Sequence, residues 1–284
     1  MKKIICFSLA LLISLITHTV QSTTLKPWQV IPPTPMLPIP SNSGLLKIND
    51  TKIWYAEYGN GSPVILLHGG LTNSNYFGKL VPLLANKHRI IVIDSRGHGR
   101  SFLGKKPLSY HLMAQDVLKL MDTLHIQKAS IIGWSDGANT GVDLAIHHPA
   151  RLEKLFAFGG NSSPEGTLDV SKNPGFDAFS RRIKQEYLAL SPTLSVQYYH
   201  RLTHAVETMW HTEPQFTKKV LQQITVPVWI VAGDHDEAIK RSDTEFLSSS
   251  IPHAKLVIES NVGHFAFLQN PSQFYEDVRC FLDN

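Results

Sequence analysis

Short, uninterrupted apolar runs, each closed by glycine or a carboxylate, recur along this chain, with helix-periodic stretches between them. Val64-Ile65-Leu66-Leu67 ends in His68-Gly69-Gly70, Ile90-Ile91-Val92-Ile93 ends in Asp94, and Ala129-Ser130-Ile131-Ile132 ends at Gly133. Leu155-Phe156-Ala157-Phe158 ends in Gly159-Gly160, Val228-Trp229-Ile230-Val231 in Ala232-Gly233-Asp234, and Leu256-Val257-Ile258 at Glu259. Runs apolar on every residue suit strands covered on both faces, which occur in parallel sheets. Leu112, Val117, Leu118, Leu120, Met121 and Leu124 recur at helical spacing, and Ala138–His147, Ser242–Ser249 and Gln273–Leu282 are further helical stretches. Leu45–Ile48 and Lys52–Ala56, joined by Asn49-Asp50-Thr51, form a hairpin at the start. The alternation predicts an α/β fold, a mostly parallel sheet of about eight strands flanked by helices. In such sheets ligands bind beyond the carboxyl ends of the strands.

The ends of the chain differ from this pattern. Lys2 and Lys3 precede an uncharged run from Ile4 to Ile16, followed by Thr17, Thr19, Ser22 and Thr23. The run is too short for a membrane span of about 20 residues and fits a secretory signal peptide over 1–22. It predicts a periplasmic or secreted protein without a stable membrane span once the signal is removed; an uncleaved anchor is the alternative. Residues 23–44 are rich in proline and read as an extended arm, so the domain is expected over 45–284. Between 161 and 223 no strand-like run occurs, and prolines, helical stretches such as Phe179–Leu190, and the aromatics Tyr187, Tyr198, Tyr199 and Trp210 predict a helical insertion over the strand ends.

Charge and cysteine content narrow the function classes. Lys and Arg number 27 against 23 Asp and Glu, and no basic run exceeds two residues, so a nucleic-acid partner is not expected. Cys6 and Cys280 are the only cysteines, which excludes a disulfide framework and a cysteine-rich zinc module. Fourteen histidines invite a metal site, but His147 and His148 are adjacent and no H-E-x-x-H occurs, so neither a metal nor a cofactor is expected.

The chemistry concentrates at Gly133-Trp134-Ser135-Asp136-Gly137, a G-x-S-x-G between a strand and a helix. A serine there sits in a sharp turn, and side chains two positions to either side would strike neighbouring backbone. The N–H of Asp136 would lie at a helix N-terminus, suited to an oxyanion. Serine needs a base, and the base an orienting acid. His264 follows the last strand by a short loop. Gly233-Asp234-His235-Asp236 follows the strand before it, with Asp236 better placed than Asp234 to reach over to the next loop.

These residues carry a family resemblance over about Leu45 to Leu282. His68-Gly69-Gly70, Asp94-Ser95-Arg96-Gly97-His98-Gly99-Arg100-Ser101, the serine elbow and the Asp236…His264 pair resemble, in order, the motifs of a lidded α/β-hydrolase. The resemblance implies a serine hydrolase acting on a carboxylic ester or related acyl bond of a small molecule, with Ser135 as nucleophile, Asp236 as acid and His264 as base. It implies a second oxyanion donor at Gly70, with Leu71 the neighbouring candidate, and Trp134, Asp136 and Leu71 as candidate substrate contacts; losing one oxyanion donor costs about 10²–10³ in rate. The elbow is similar to that of the biphenyl-hydrolase-like branch, which includes amino-acid ester hydrolases and touches C–C bond hydrolases and lactonases. There an acidic residue beside the nucleophile recognises a substrate amino group. For Asp136 that role and a helix-capping one stay open. Trp134 lines the pocket or packs under the elbow, and Trp210 and Tyr187 are candidates for the pocket or for packing of the insertion. His68 and His98 read as loop-ordering residues, and His235 as solvated. A C–C bond or lactone hydrolase with the same triad, and a non-catalytic exported binding protein on the same fold, are the alternatives. Asn49-Asp50-Thr51 and Asn161-Ser162-Ser163 match the glycosylation acceptor pattern.

Overall fold

The computed structural model describes residues 25–172 and 174–284; the expected signal segment, 1–22, lies outside them. Eight strands, β1 (Asn42–Ile48), β2 (Thr51–Tyr58), β3 (Ser62–Leu67), β4 (His88–Asp94), β5 (Ala129–Trp134), β6 (Leu152–Phe158), β7 (Val228–Gly233) and β8 (Lys255–Glu259), form one sheet. Its order is β1-β2-β4-β3-β5-β6-β7-β8. The β1–β2 hairpin and the β2–β4 pairing are antiparallel, and all pairings from β4 through β3 to β8 are parallel. The helices are α1 (Val81–Leu84), α2 (Tyr110–Thr123), α3 (Asp136–His147), α4 (Pro174–Leu190), α5 (Val196–Thr212), α6 (Lys218–Leu221), α7 (Arg241–Ser250), α8 (Ala266–Gln269) and α9 (Pro271–Asp283).

The period-2 alternation of strand side chains divides each apolar run between two cores. Ile65, Leu67, Ile91 and Ile93 pack with Val117, Leu120 and Met121 of α2, Val142 and Leu144 of α3, and Leu247 of α7. Val64, Leu66, Ile90 and Val92 face the other way, onto Val81 and Leu84 of α1 and Phe274, Val278 and Phe281 of α9. Both faces of the parallel strands are thereby dry, which is why their sequences show no polar alternation. Between β6 and β7 no strand intervenes. Here α4 and α5 pack through Tyr187, Tyr199, Leu202, Val206 and Met209 into a third cluster that also takes Tyr110 and Met113 from α2.

Two details differ from the sequence reading. Strand β1 begins at Asn42, so Asn42, Ser43 and Gly44, assigned to the arm, pair instead with Glu57, Ala56 and Tyr55. The rest of the arm lies against the domain. The Arg182 guanidinium donates to the carbonyls of Ile31 (3.4 Å) and Pro32 (2.7 Å), the Gln269 amide donates to the carbonyl of Val30, and Trp28 stacks on His235 at 3.8 Å. Among the described residues no helix is long and apolar enough to cross a membrane.

Candidate active site

The carboxyl ends of β3, β5, β7 and β8 surround a cavity of about 330 Å³ lined by Gly70, Trp134, Ser135, Asp136 and His264, and roofed by residues of the β6–β7 segment such as Phe176, Phe179 and Trp210. Ser135 joins β5 to α3 with φ 55° and ψ −118°, a backbone conformation that non-glycine residues avoid and that marks a tightly determined turn. Its N–H donates to the carbonyl of Phe158 at 2.8 Å, and its carbonyl accepts from Asn139. The two flanking glycines are sterically required. A Cβ on Gly133 would stand 2.5 Å from the carbonyl carbon of Gly137 and 2.6 Å from the nitrogen of Ala138, and one on Gly137 would overlap the carbonyl of Leu67.

His264, in the loop after β8, is buried. Its Nδ1 lies 3.1 and 3.2 Å from the two carboxylate oxygens of Asp236, which follows β7. A carboxylate only accepts, so Nδ1 carries the proton and Nε2, across the ring, keeps a lone pair. Asp236 is itself fixed: its Oδ1 accepts from the N–H groups of Ala238 and Ile239, each at 2.9 Å. Burial works to lower the His264 pKa, but Asp236, with help from Glu237 and Asp136, outweighs it and holds the imidazole above its ordinary value. Asp234 instead accepts from the N–H of Val262 at 3.3 Å.

Asp136, the first residue of α3, is 3% exposed. Its Oδ1 accepts from the Tyr110 hydroxyl at 2.8 Å, and the Trp210 indole N–H donates to both oxygens at 2.9 and 3.0 Å. Burial pushes the carboxyl up to about 6 against the opposing pull of Trp210, Tyr110 and His264. At the start of α3 its N–H has no acceptor within the helix. Gly70 lies directly against it in the cavity wall, so closely that a Cβ there would overlap the Asp136 carboxylate and the Trp210 ring.

The other residues singled out in the sequence fall on both sides of the cavity wall. Trp134 both lines it and packs beneath the elbow, with its ring centroid 4.7 Å from that of Phe267 and 5.8 Å from that of His264. Leu71, a candidate contact for substrate, does not line the cavity; it sits at φ 58° and packs into the apolar clusters behind it. Tyr187 is likewise interior to the α4–α5 cluster. His68 Nδ1 is 2.8 Å from the Gly69 carbonyl and its Nε2 accepts from the N–H of Ser95, a pattern that orders the Gly69-Gly70 loop. His98 bonds the carbonyl of Arg96 through Nδ1, and burial pulls its pKa down to about 3. His235 is not simply solvated, because Trp28 covers one face of its ring. Asn161 is buried and bonded to Asn139 and Ser163, a poor position for a glycan.

A family model described as the alpha/beta hydrolase fold matches residues 62–214, more than half of the chain. The chain belongs to the α/β-hydrolase family. This α/β-hydrolase is 39% identical over 251 residues to a putative carbamate hydrolase RutD of Caulobacter segnis, covering 78% of this chain and 92% of the relative. It is 24% identical over 259 residues to the human serine hydrolase BPHL, covering 84% and 86% of the two chains, in line with the branch that its elbow resembles. Among solved structures, Est816, described as an N-acyl homoserine lactone degrading enzyme, superposes with a TM-score of 0.69 at 27% identity, covering 84% of this chain and all of that one. The protein is a hydrolase.

Two contributors to the hydrolase site, Glu237 and Tyr110, were not visible in the sequence, and Trp210, a pocket candidate there, lines the cavity in a role the sequence did not show, as a partner of Asp136. Glu237 accepts from the backbone N–H of His264 at 2.9 Å, and burial raises its pKa. Its adjacency to Asp236 was the available signal. Tyr110 and Trp210 come from helices 26 and 74 positions away from Asp136, and nothing local marks them as its partners.

Proposed function

We propose that this α/β-hydrolase cleaves a carboxylic ester, or a closely related acyl bond, of a small molecule through an acyl-enzyme on Ser135. Ser135 Oγ attacks the carbonyl carbon. His264 Nε2 takes the hydroxyl proton and passes it to the departing alkoxide. Asp236 holds the imidazole in that tautomer and stabilises its cation. The N–H groups of Asp136 and Gly70 receive the developing oxyanion. Water, activated by the same histidine, then releases the acid. The observation that carries this reading is the meeting, in one cavity wall, of a serine held at φ 55° and a buried His264–Asp236 pair. The walls are largely apolar, with Phe176, Phe179, Phe265 and Ile239, and the volume suits a substrate of modest size. The helical segment 161–223 acts as its lid.

A fluorophosphonate probe tests the mechanism directly. It is expected to modify Ser135 in the folded protein, located by peptide mass spectrometry, and not in protein unfolded with denaturant. Absence of the adduct removes the nucleophile assignment.

A lactone hydrolase with the same triad is the second reading, supported by the likeness to Est816. Turnover of an acyl homoserine lactone at a kcat/KM above that of open-chain esters would favour it.

The hydrogen bonds to Asp136 support an ordering role for its carboxylate, which ties Trp210 of α5 and Tyr110 of α2 to the elbow. Asp136→Ala is therefore expected to lower kcat/KM alike for an amino-acid ester and its des-amino analogue. A loss confined to the amino ester would assign the carboxylate to an ammonium group instead.

A further inference from the structure

Away from the cavity, the outer surface where α2 meets α3 gathers three metal-ligating side chains that play no part in the proposed reaction. His111 comes from α2, while Asp143 and His147 are one turn apart on α3 and share a face. One ligand atom from each lies within 4.8 Å of the others. His111 Nδ1 is 3.0 Å from Asp143 Oδ1, and His147 Nε2 is 3.7 Å from Asp143 Oδ2. The two imidazoles meet edge to face with centroids 5.1 Å apart. Ligands each about 2.0–2.1 Å from a tetrahedral Zn²⁺ lie roughly 3.3 Å from one another, a spacing that these distances bracket.

Two further features suit a cation. Asp143 is only 6% exposed, and its ion pairs among the described residues are with these two histidines, which carry no charge when neutral. A buried carboxylate with no Lys or Arg ion-pair partner among the described residues lacks a permanent counter-charge, which a divalent ion supplies. The Gln115 side-chain nitrogen lies 3.0 Å from His111 Nε2 and donates to it, so the imidazole proton sits on Nδ1 towards Asp143; a metal takes the place of that proton, and the Gln115 amide turned over then accepts from Nε2–H. Both imidazoles are about half exposed, so rotation of their side chains can close the 4.8 Å outer separation by the ångström or so required and leave an open position for water.

We propose that His111, Asp143 and His147 form a Zn²⁺ site that clips α2 to α3. These helices begin at Tyr110 and Asp136, whose side chains bond each other in the cavity wall, so the clip braces the frame of the active site without entering the chemistry. The sequence reading missed the set because its members are split over two helices and do not follow H-E-x-x-H.

Isothermal titration of chelator-treated full-length protein with Zn²⁺ tests the site. One equivalent is expected to bind, and a hundredfold excess over Kd raises Tm by roughly 5 °C. His111→Ala/His147→Ala is expected to keep its fold by circular dichroism and its ester turnover, and to lose binding by more than the roughly 10–100-fold that removal of an outer-shell partner costs. His264→Ala, which removes the buried imidazole paired with Asp236 in the cavity, is expected to bind Zn²⁺ as the wild type does. Absence of binding to the wild type overturns the proposal. Binding that survives in the double variant, or that is lost in His264→Ala, overturns it equally.

Discussion

Ser135→Ala is expected to lower kcat on a small ester by about 10⁴–10⁶, and Asp236→Asn by about 10⁴, with the fold intact in both. The second figure follows from the hydrogen bonds around Asp236. Its Oδ1 accepts from the N–H groups of Ala238 and Ile239, and both oxygens face His264 Nδ1. An asparagine must keep its one carbonyl oxygen towards the two backbone donors, which turns its NH₂ towards the imidazole. His264 then has to present a lone pair at Nδ1 and carry its proton on Nε2, where it cannot take one from Ser135. The fluorophosphonate reaction, which needs the same proton transfer, slows in parallel with kcat. A variant that retained more than about a tenth of wild-type kcat would show that Asp236 is not the orienting acid. The pH profile follows from the same pair. A base must be neutral, so kcat/KM is expected to fall as pH drops through the His264 pKa, and because Asp236, Glu237 and Asp136 together hold that pKa above its ordinary value, the acid limb is expected above the pH of an ordinary histidine. Asp236→Asn removes the main source of the upward shift and moves the limb of the residual activity to lower pH.

Why Ser135, Asp236 and His264 were legible in the sequence, and the groups that surround them were not, is a matter of range. The apolar runs at β3 to β8 identify themselves because both faces of a covered parallel sheet exclude polar residues, and each run's terminating residue lies by construction at the ligand-binding edge. Ser135, Asp236 and His264 follow from those ends within a few residues. The turn at Ser135 was legible for a second reason: Gly133 and Gly137 are the only residue type that clears the backbone there. By contrast, the environment of Asp136 depends on a hydroxyl from α2 and an indole from α5, and that of His264 on a neighbouring glutamate whose direction no periodicity encodes. Leu71 illustrates the reverse error. Its position beside Gly70 is close to the cavity along the chain, yet its φ of 58° turns the side chain into the clusters behind the loop. The His111, Asp143 and His147 set is invisible in the same way, since α2 and α3 are brought together only by their shared packing on the sheet.

Glu259 shows the same principle acting on stability, and carries the second large effect. As the last residue of β8 it reads, in sequence, as the polar close of an apolar run. In the fold it is 3% exposed, and neither carboxylate oxygen has a hydrogen-bond partner among the described residues. Burial, with the nearby charge of Asp277 adding to it, pushes its pKa from 4.5 up to about 8. Between those values the folded protein retains a proton that the unfolded chain releases, so stability declines as pH rises from 4.5 to about 8 and is unaffected by this group outside that window. The loss across the window is on the order of 3–5 kcal/mol. Glu259→Gln keeps the shape and abolishes the titration. In urea unfolding the variant and the wild type are therefore expected to be close in stability at pH 4.5, where both side chains are neutral, and to diverge with rising pH until the variant is the more stable by that amount at pH 8. Parallel stability curves for the two proteins across the window would mean that the Glu259 carboxyl is solvated in solution. A buried carboxyl without partners is thus retained at a cost that grows with pH, and Glu259→Met, which removes the polar atoms altogether, is expected to stabilise the protein at both ends of the range.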